Sequence, residues 1–303
     1  MISVVIPVKD GGEALRRCLE AIGSQEVADE VELVVVDSGS TDGTQDLVRS
    51  FGGRVHEIPP GSFNHGETRN VGARLASGEI TVFTVQDALP VDDRWLEELT
   101  RPLRRESSLA GTYARHIPYD SAPPHQRFYI EHRYGPAPRM QRASTTEELT
   151  AATVLFSNVS SAIRRSLLEE FPFASDIVVG EDLEWCGRVL LAGYEVAYVP
   201  EAVVRHSHDY TLADALKRYF DQGVAAERTF VVGGRSPRAV RGEGLAFVRR
   251  ELGWLWRSGE RAAIPYTVAH ELTRYAGFQL GAHHRRLPTS LRKRISGTPV
   301  HWS

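Results

Sequence analysis

Short apolar runs alternate with amphipathic segments along about the first 115 residues of the chain. Ile2–Val8 and Glu32–Val36 are rich in β-branched residues, which is typical of strands that are buried on both faces. Between them, Glu13–Ser24 repeats its leucines and isoleucine at helical spacing, so that they share one face. Strands that alternate with helices in this way predict an α/β fold.

The same two periodicities predict most of the remaining elements. The first group comprises a helix from Asp42 to Val48, a weak strand Arg54–Ile58, a helix Glu67–Ala76, a strand Ile80–Val85 and a helix starting at Asp92. Residues 116–150 contain five prolines, which predicts a long loop region with one helix near Phe128. The second group comprises a strand Val154–Asn158, a helix Glu181–Ala192 and two short strands, Glu195–Val199 and Ala202–His206.

The pattern changes after Thr211, where helices, glycine-rich breaks and paired aromatic residues replace the strand signals. We therefore expect a boundary near residue 210, between a domain of residues 1–210 and a helical region of residues 211–303. Residues 281–303 carry five Lys or Arg residues and no Asp or Glu. Together with Phe247 and the segment Trp254–Trp256, this basic end would suit an anionic membrane surface. Packing against the first domain or against a second copy of the chain is an equal alternative.

The composition is ordinary for a soluble globular protein, with 42% hydrophobic and 25% charged residues. A formal net charge of -3 argues against nucleic-acid binding, which normally needs a basic excess. The N-terminus lacks the basic start of a signal peptide, and no apolar run approaches the ~18–20 residues that span a bilayer. Cys18 and Cys186 form no metal-binding pattern, so we expect buried thiols. The expected location is the cytoplasm or the inner face of the cell membrane.

Asp37 is the first candidate for chemistry, because it ends a predicted strand and opens the segment Asp37–Thr44. Ligands of open α/β sheets bind beyond the carboxyl ends of the strands. There the carboxylate of Asp37 could accept hydrogen bonds from a ribose or a base. Helix capping in a turn is the alternative, and it explains Asp42 better than Asp37.

Asp87 also follows a predicted strand, and it is the candidate metal ligand. A diphosphate leaving group needs a divalent cation such as Mg²⁺ or Mn²⁺, which one or two carboxylates hold together with phosphates and water. A turn or cap residue ahead of Pro90 is the alternative reading of Asp87 alone.

Glu181 and Asp182 start a predicted helix after Gly180. A nucleophilic hydroxyl needs a base to take its proton, and the positive end of the helix dipole would keep Asp182 ionised for that task. Acidic residues are common in a first helical turn for the same electrostatic reason, so a purely structural role is equally open.

Three further residues could bind a metal or a phosphate. His206 and His208 share one face of an extended chain, where two imidazoles could meet a metal ion or a phosphate. Arg69 lies near the start of a helix and could contact a phosphate or a base. A chance histidine pair, among 11 histidines, and a solvated arginine are the alternatives.

The order of these signals resembles that of family 2 inverting glycosyltransferases of GT-A fold, over about the first 210 residues. The matching positions are Val5–Val8, Asp37–Thr44, Arg69–Asn70, Asp87 and Gly180–Asp182. A narrower likeness is to the bacterial rhamnosyltransferase branch. It rests on Phe63–Asn70, Gln86–Pro90, Gly180–Asp182, His206–His208 and the tail segment Gly277–Leu287 with His301–Trp302.

This resemblance implies a Rossmann-like mixed sheet flanked by helices, a nucleotide-diphospho-sugar donor and a helical C-terminal extension. It also implies a role for each matching residue. Pro7 and Val8 would line the base pocket, and Asp37 would bind the base or ribose. Arg69 and Gln86 would hold the nucleotide side, and Asp87 would bind the metal. Asp182 beside Glu181 would be the general base, and His206 or His208 would bind the metal or the diphosphate.

One position departs from the pattern of the family. The first Asp of the usual Asp-x-Asp metal motif is Val85 in this chain, so one expected contact to the ribose or the metal is missing. Asp37 and the two histidines are then expected to carry more of the binding.

The expected reaction is a single in-line displacement that inverts the anomeric centre. Asp182 would deprotonate an acceptor hydroxyl, and the metal at Asp87 would stabilise the departing diphosphate. By resemblance the donor is dTDP-β-L-rhamnose, and the acceptor is a glycan or a polyprenyl-linked glycan in bacterial surface polysaccharide synthesis.

Three other functions stay open at this point. The chain could use another UDP-, GDP- or dTDP-sugar, or it could be a non-catalytic nucleotide-sugar-binding subunit of a polysaccharide assembly complex. A nucleotidyltransferase is the third, but it would need a glycine-rich phosphate loop near the N-terminus, and Gly11–Gly12 is no such loop.

Overall fold

A computed structural model describes residues 1–150, 153–226, 228–229 and 237–302 of the chain. The strands of these residues form one mixed sheet in the order β3-β2-β1-β4-β8-β6-β9-β5, with β7 paired to β9. The strands are β1 Ile2–Val8, β2 Val31–Asp37, β3 Arg54–Glu57, β4 Ile80–Thr84, β5 Leu89–Pro90, β6 Leu109–Ile117, β7 Arg139–Gln141, β8 Ser160–Arg164 and β9 Glu195–Arg205.

The strand directions bring the carboxyl ends of six strands to one edge of the sheet. β1 pairs in parallel with both β2 and β4, and Val8 lies opposite Asp37 in the register. β8 is antiparallel to β4 and to β6, so β6 and its parallel neighbour β9 run in the direction of β4. β3 is parallel to β2. The carboxyl ends of β1, β2, β3, β4, β6 and β9 therefore meet at this edge, where ligands of α/β sheets bind.

Helices cover both faces of the sheet. They are α1 Gly12–Gly23, α2 Thr44–Ser50, α3 His65–Leu75, α4 Trp95–Arg105, α5 Pro124–Arg133, α6 Arg165–Glu170, α7 Glu181–Leu191, α8 Leu212–Val224, α9 Pro237–Arg257, α10 Ile264–Ala282 and α11 Thr289–Ile295. One core lies between the sheet and α1 and α4, and it contains Cys18 and Trp95. The other lies under α3, α6 and α7, and it contains Trp185 and Cys186. The predicted α/β class and the two buried thiols are confirmed.

Two strand predictions were wrong. Val154–Asn158 is a buried loop, and the strand follows it at Ser160–Arg164. The run is apolar because Leu155 and its neighbours fill the core. The side-chain amide of Gln141 accepts a hydrogen bond from the N–H of Leu155 and donates one to its carbonyl. A single side chain thus replaces the ladder bonds that a strand would have made.

The two strands that were predicted around residue 200 are one strand, β9. Its register against β6 is irregular, because Ala114 pairs with Val199 and Arg115 pairs with Val203. Pro200 and Glu201 lie within this irregularity, and they gave the sequence the appearance of a break. The long loop predicted for residues 116–150 contains the expected helix near Phe128, α5, and also the short strand β7.

Within the helical C-terminal region, α8 and α10 cross each other and pack closely. Glycines on both helices allow a close approach, since a methyl group at Gly281 would lie 2.0 Å from the carbonyl oxygen of Phe220. A methyl group at Gly223 would lie 2.2 Å from that of Phe278. Among the helices that the structure describes, none is both long enough and apolar enough to cross a membrane.

We expect Gly281→Ala to lower the free energy of unfolding by about 1–3 kcal/mol, because the added methyl group forces the two backbones apart. Gly253→Ala in α9 is the matched control, since nothing lies within 4 Å of a methyl group there. It should be neutral or stabilising by up to ~1 kcal/mol, through helix propensity alone. Urea unfolding measures both. Equal effects of the two substitutions would contradict the close crossing.

Candidate active site

The loops after β1 and β2 are tied together at the sheet edge. The backbone N–H groups of Asp10 and Gly11 donate to the hydroxyls of Ser40 and Thr44, each at 2.8 Å. The N–H of Thr41 donates to the carboxylate of Asp10, also at 2.8 Å. The first candidate segment is therefore a rigid double loop beside the end of β1.

Asp37 is fully buried at the end of β2, inside this double loop. Its carboxylate accepts bonds from the N–H and hydroxyl of Ser40 and from the amide of Gln45, the last at 2.7 Å. In this structure the side chain of Asp37 holds the loop, so a base or ribose contact would have to share the carboxylate with these donors.

Pro7, Val8 and Gln86 lie at the ends of β1 and β4. Pro7 is partly exposed and Val8 is buried. The amide of Gln86 accepts from the N–H of Lys9 at 3.0 Å and donates to its carbonyl at 3.2 Å. Gln86 thus bridges the two strand ends, and both of its polar atoms are used in that bridge.

Asp87, His206 and His208 come together next to this bridge. One ligand atom from each lies within 4.8 Å of the other two. The nearest carboxylate oxygen of Asp87 is 3.7 Å from His206 Nε2 and another is 3.7 Å from His208 Nδ1. The cause is the antiparallel pairing of β5 with β9, which sets Leu89 opposite Arg205 and so brings the residues just outside the paired segment together.

Burial keeps both imidazoles neutral. It lowers the pKa of His206 to about 4, with a further lowering by His208 and an opposing effect of Asp87. Burial also lowers the pKa of His208, again against Asp87. Each ring therefore has a free lone pair near pH 7, which is the form that binds a metal.

One carboxylate oxygen and two imidazole nitrogens at this spacing fit a divalent transition metal better than Mg²⁺. Mg²⁺ prefers an all-oxygen octahedron, whereas first-row transition ions accept imidazole. The remaining coordination positions would be open to phosphate oxygens.

Glu181 is committed to a buried ion pair. Arg69 Nη1 donates to Glu181 Oε1 at 2.9 Å, and both side chains are 6% exposed. The amide of Asn158 donates to the same oxygen at 3.3 Å. Burial tends to raise the pKa of Glu181, but Arg69 and His65 outweigh it and the net shift is downward.

Asp182 is the free carboxylate of the pair. It is partly exposed, and it accepts from the N–H of Asn158 at 3.3 Å and that of Leu183 at 2.8 Å. Burial, with the negative charge of Glu181, raises the pKa of Asp182 to about 6, against the opposing effect of Arg69. A carboxyl group with that pKa is ionised at pH 7 and basic enough to accept a proton.

The segment Phe63–Asn70 holds the chain that leads to Asp182. Asn70 exchanges two hydrogen bonds of 2.9 Å with the backbone of Phe173, and Asn64 donates to the carbonyl of Ser175 at 3.0 Å. Gly66 is required by the carbonyl of Ala174, which would lie 2.1 Å from a methyl group there. This part of the subfamily pattern thus positions the loop before α7.

Sequence reasoning missed Asn158, Tyr119 and Arg218. Asn158 bonds both Glu181 and Asp182, but it lies in a segment that resembled a strand. The hydroxyl of Tyr119 donates to the carbonyl of Asp87 at 3.2 Å. Arg218 on α8 interacts electrostatically with Asp182, and no local pattern marks it. All three reach the site only through the tertiary fold.

The family model described as Glycosyl transferase family 2 matches residues 3–171. The chain is 31% identical to the O-antigen chain rhamnosyltransferase RfbN of Salmonella typhimurium, over 100% of this chain and 96% of that protein. It is 33% identical to the O-antigen chain rhamnosyltransferase WbaN of Salmonella anatum, over 90% of this chain and 86% of that protein.

A solved structure supports the fold. The mannosyltransferase PcManGT from Pyrobaculum calidifontis, in complex with GDP-Man and Mn²⁺, superposes with a TM-score of 0.63. The match covers 94% of this chain and 88% of that one, at 20% identity. At this level of identity the comparison shows the architecture alone, a GT-A-like mixed sheet.

We expect Mn²⁺ to bind with 1:1 stoichiometry in isothermal titration calorimetry, and His208→Ala to weaken it by about 10–100-fold or more. Even the loss of an outer-shell partner costs a metal site that much. His283→Ala is the control, since that imidazole is exposed and bonds only to its own helix. Unchanged affinity in His208→Ala would remove the histidine from the site.

Proposed function

This chain belongs to glycosyl transferase family 2, and from that premise we propose that it transfers L-rhamnose from dTDP-β-L-rhamnose to a glycan or polyprenyl-linked acceptor in bacterial surface polysaccharide synthesis. Two relatives that match nearly the whole chain are named O-antigen chain rhamnosyltransferases. The observation that carries the proposal is the grouping of Asp87, His206 and His208 at the same sheet edge as the free carboxylate of Asp182.

We propose that Asp87, His206 and His208 hold Mn²⁺ or Mg²⁺, with Mn²⁺ favoured by the two nitrogen ligands. When bound, the ion supplies positive charge against the diphosphate of the donor. Val85 in place of the usual first Asp is consistent with this arrangement, because two imidazoles take the positions that a second carboxylate would fill.

The proposed base is Asp182. Its carboxylate removes the proton of an acceptor hydroxyl while the hydroxyl oxygen attacks the anomeric carbon. The bond from that carbon to the phosphate oxygen breaks on the opposite face, and dTDP leaves with the electron pair. One displacement inverts the centre, so a β-L-rhamnosyl donor gives an α-L-rhamnoside. Glu181 acts beside it by holding Arg69 and by keeping Asp182 basic.

For the nucleotide we propose the segment formed by Pro7, Val8 and Asp37, with Gln86 at its side. Val8 and Asp37 are register partners, so their neighbouring loops form one wall. Arg69 is proposed on the nucleotide side as well. Its buried Nε has no hydrogen-bond partner among the described residues, although its Nη1 is committed to Glu181.

We propose that residues 211–303 place the enzyme on the inner face of the cell membrane. Glu271 and Arg274, the charged pair of α10, are turned inward and bond each other at 2.6 Å. The outward face is apolar instead, with Leu272 65% exposed and Tyr275 52% exposed. Residues 242–302 contain ten Lys or Arg against four Asp or Glu, which suits anionic lipid. A second copy of the chain is the alternative cover.

We expect the protein to float with vesicles that contain anionic phospholipid, and Leu272→Glu to weaken that binding by roughly tenfold or more, since one buried leucine is worth about 1.5–3 kcal/mol. Phe51→Glu, at an exposed apolar side chain beside the β2–β3 connection, is the control. A concentration-dependent dimer in sedimentation, with no vesicle binding, would assign this face to a second copy.

Wild-type protein should release dTDP from dTDP-β-L-rhamnose when acceptor is added, faster than it releases nucleotide from UDP-glucose or GDP-mannose. Asp182→Asn should lower turnover by about 10²–10⁴-fold and leave donor binding intact, because only proton removal is lost. Asp46→Asn on α2, which is 89% exposed, is the control.

The pH dependence of kcat/KM on its acidic side provides a second test of the role of Asp182. Because the ionised form of Asp182 is the active one, kcat/KM should fall as the pH drops below about 6. Glu181→Gln should move this decrease to lower pH, since it removes the charge that raises the pKa of Asp182. Near-normal turnover in Asp182→Asn would remove it from the base role. Binding of donor without any turnover in the wild type would favour the non-catalytic subunit.

A further inference from the structure

Two guanidinium groups in the site region lack an acidic partner. Arg218 on α8 and Arg133 at the end of α5 have no carboxylate within 4.0 Å among the residues that the structure describes. Two other arginines, Arg69 and Arg274, do have a carboxylate partner. Arg69 pairs with Glu181 and Arg274 pairs with Glu271. The proposed reaction uses neither Arg218 nor Arg133.

Arg218 acts electrostatically on both the candidate metal ligands and the candidate base. Its guanidinium carbon is 5.4 Å from the ring centre of Tyr210, which lies 5.0 Å from that of His208. His208 in turn is 3.7 Å from Asp87. Arg218 also interacts electrostatically with Asp182 and His65. The side chain remains accessible to solvent, so a ligand can reach it.

Arg133 approaches the same space from the end of α5. It acts electrostatically on His116, whose ring centre lies 5.9 Å from that of His206. Arg133 and Arg218 both act on Tyr129, from α5 and from α8. Together with Arg274 they lower the pKa of the Tyr129 hydroxyl, although burial tends to raise it. The net electrostatic environment around Tyr129 is therefore positive.

Arg133 has a side-chain hydrogen bond with Tyr134 but no carboxylate partner among the described residues. Two cations that act on the same tyrosine without a close carboxylate repel each other, and an anion relieves that repulsion. The planar fork of arginine matches phosphate oxygens and forms strong charge-assisted bonds with them. The arrangement suits a ligand with several negative oxygens.

We propose that Arg218 and Arg133 bind a diphosphate between the Asp87–His206–His208 group and Asp182. The inference rests on the proposed function, because both of its substrates bring a diphosphate into this space. One source is the nucleotide diphosphate of the donor, and the other is the diphosphate of a polyprenyl-linked acceptor. Arg218 is carried by the C-terminal region, so that region would complete the substrate site in addition to any contact with the membrane.

The site itself is tested with inorganic pyrophosphate in the presence of EDTA, which removes the contribution of a metal. Isothermal titration calorimetry should show binding to the wild type and about 10- to 100-fold weaker binding to Arg218→Gln. Lys217→Gln is the matched control, because this exposed cation is the adjacent residue on α8. Equal binding to Arg218→Gln and the wild type would overturn the proposal.

Arg133→Gln should weaken pyrophosphate binding to a similar extent. Because Arg133 is half-buried, the fold of this variant is checked by thermal unfolding, and Arg133→Lys should recover part of the affinity. Arg218→Gln tests the site even if Arg133→Gln fails to fold, since Arg218 is solvent-accessible and its substitution leaves the core unchanged.

Steady-state kinetics distinguish the two sources. The acceptors are one glycoside on a short neutral alkyl chain and the same sugar on a short prenyl diphosphate. A raised KM in Arg218→Gln for the diphosphate acceptor alone assigns the site to the acceptor. A raised donor KM with both acceptors assigns it to the nucleotide. If the wild type binds pyrophosphate but transfers no rhamnose, the proposed donor fails while the anion site stands.

Discussion

The buried ion pair between Arg69 and Glu181 is the contact on which the proposed base, Asp182, depends. It joins α3 to the start of α7 in a place where both side chains are buried. Buried ion pairs contribute little net stability, because desolvation offsets the attraction, but removal of one partner is costly. Here the pair also creates a difference between neighbours. Burial tends to raise the pKa of Glu181, but Arg69 lowers it and the net shift is downward. Burial, together with the negative charge of Glu181, raises the pKa of Asp182 to about 6.

A second constraint is the two-residue strand β5. Its pairing with β9 is short, but it aligns the turn after β4 with the residues that follow β9. Asp87 thereby meets His206 and His208. Val85, at the position of the usual first Asp, packs against the hydrophobic core instead. In the proposed metal site, two imidazole nitrogens would therefore serve where the family pattern has a second carboxylate.

A helix on the surface of a soluble protein usually buries its apolar side chains and exposes its charged ones. The C-terminal helices partly reverse this distribution. In α10 the charged residues face inward, where Arg274 stacks on Tyr219 at 4.6 Å and pairs with Glu271. Apolar side chains face outward. The glycine crossing with α8 links this surface to the helix that carries Arg218. A membrane or a second copy on the outward face of α10 and a ligand at Arg218 on α8 would therefore contact the same pair of packed helices.

The amino-acid sequence determined most of the elements of the first domain and their order, but it did not indicate β5, β6 or β7. Apolar periodicity is local, so it predicted β1, α1, β4 and α7 nearly to the residue. The order of Asp37, Asp87 and Asp182 along the chain was enough to indicate the family. The sequence pattern was wrong at Val154–Asn158, because a buried loop and a buried strand have the same apolar composition. Only the tertiary structure decided which of these residues meet. Asp87 and His206 are far apart in the chain and are joined by strand pairing, while Glu181 is turned to Arg69 by helix packing.

Neither Asn158 nor Arg218 belongs to a motif, and both enter the site through elements distant in sequence. Local backbone preferences can be read from neighbouring residues, which is why the elements were predictable. The charge state of Asp182 cannot be read in this way, because burial and the field of distant groups set it.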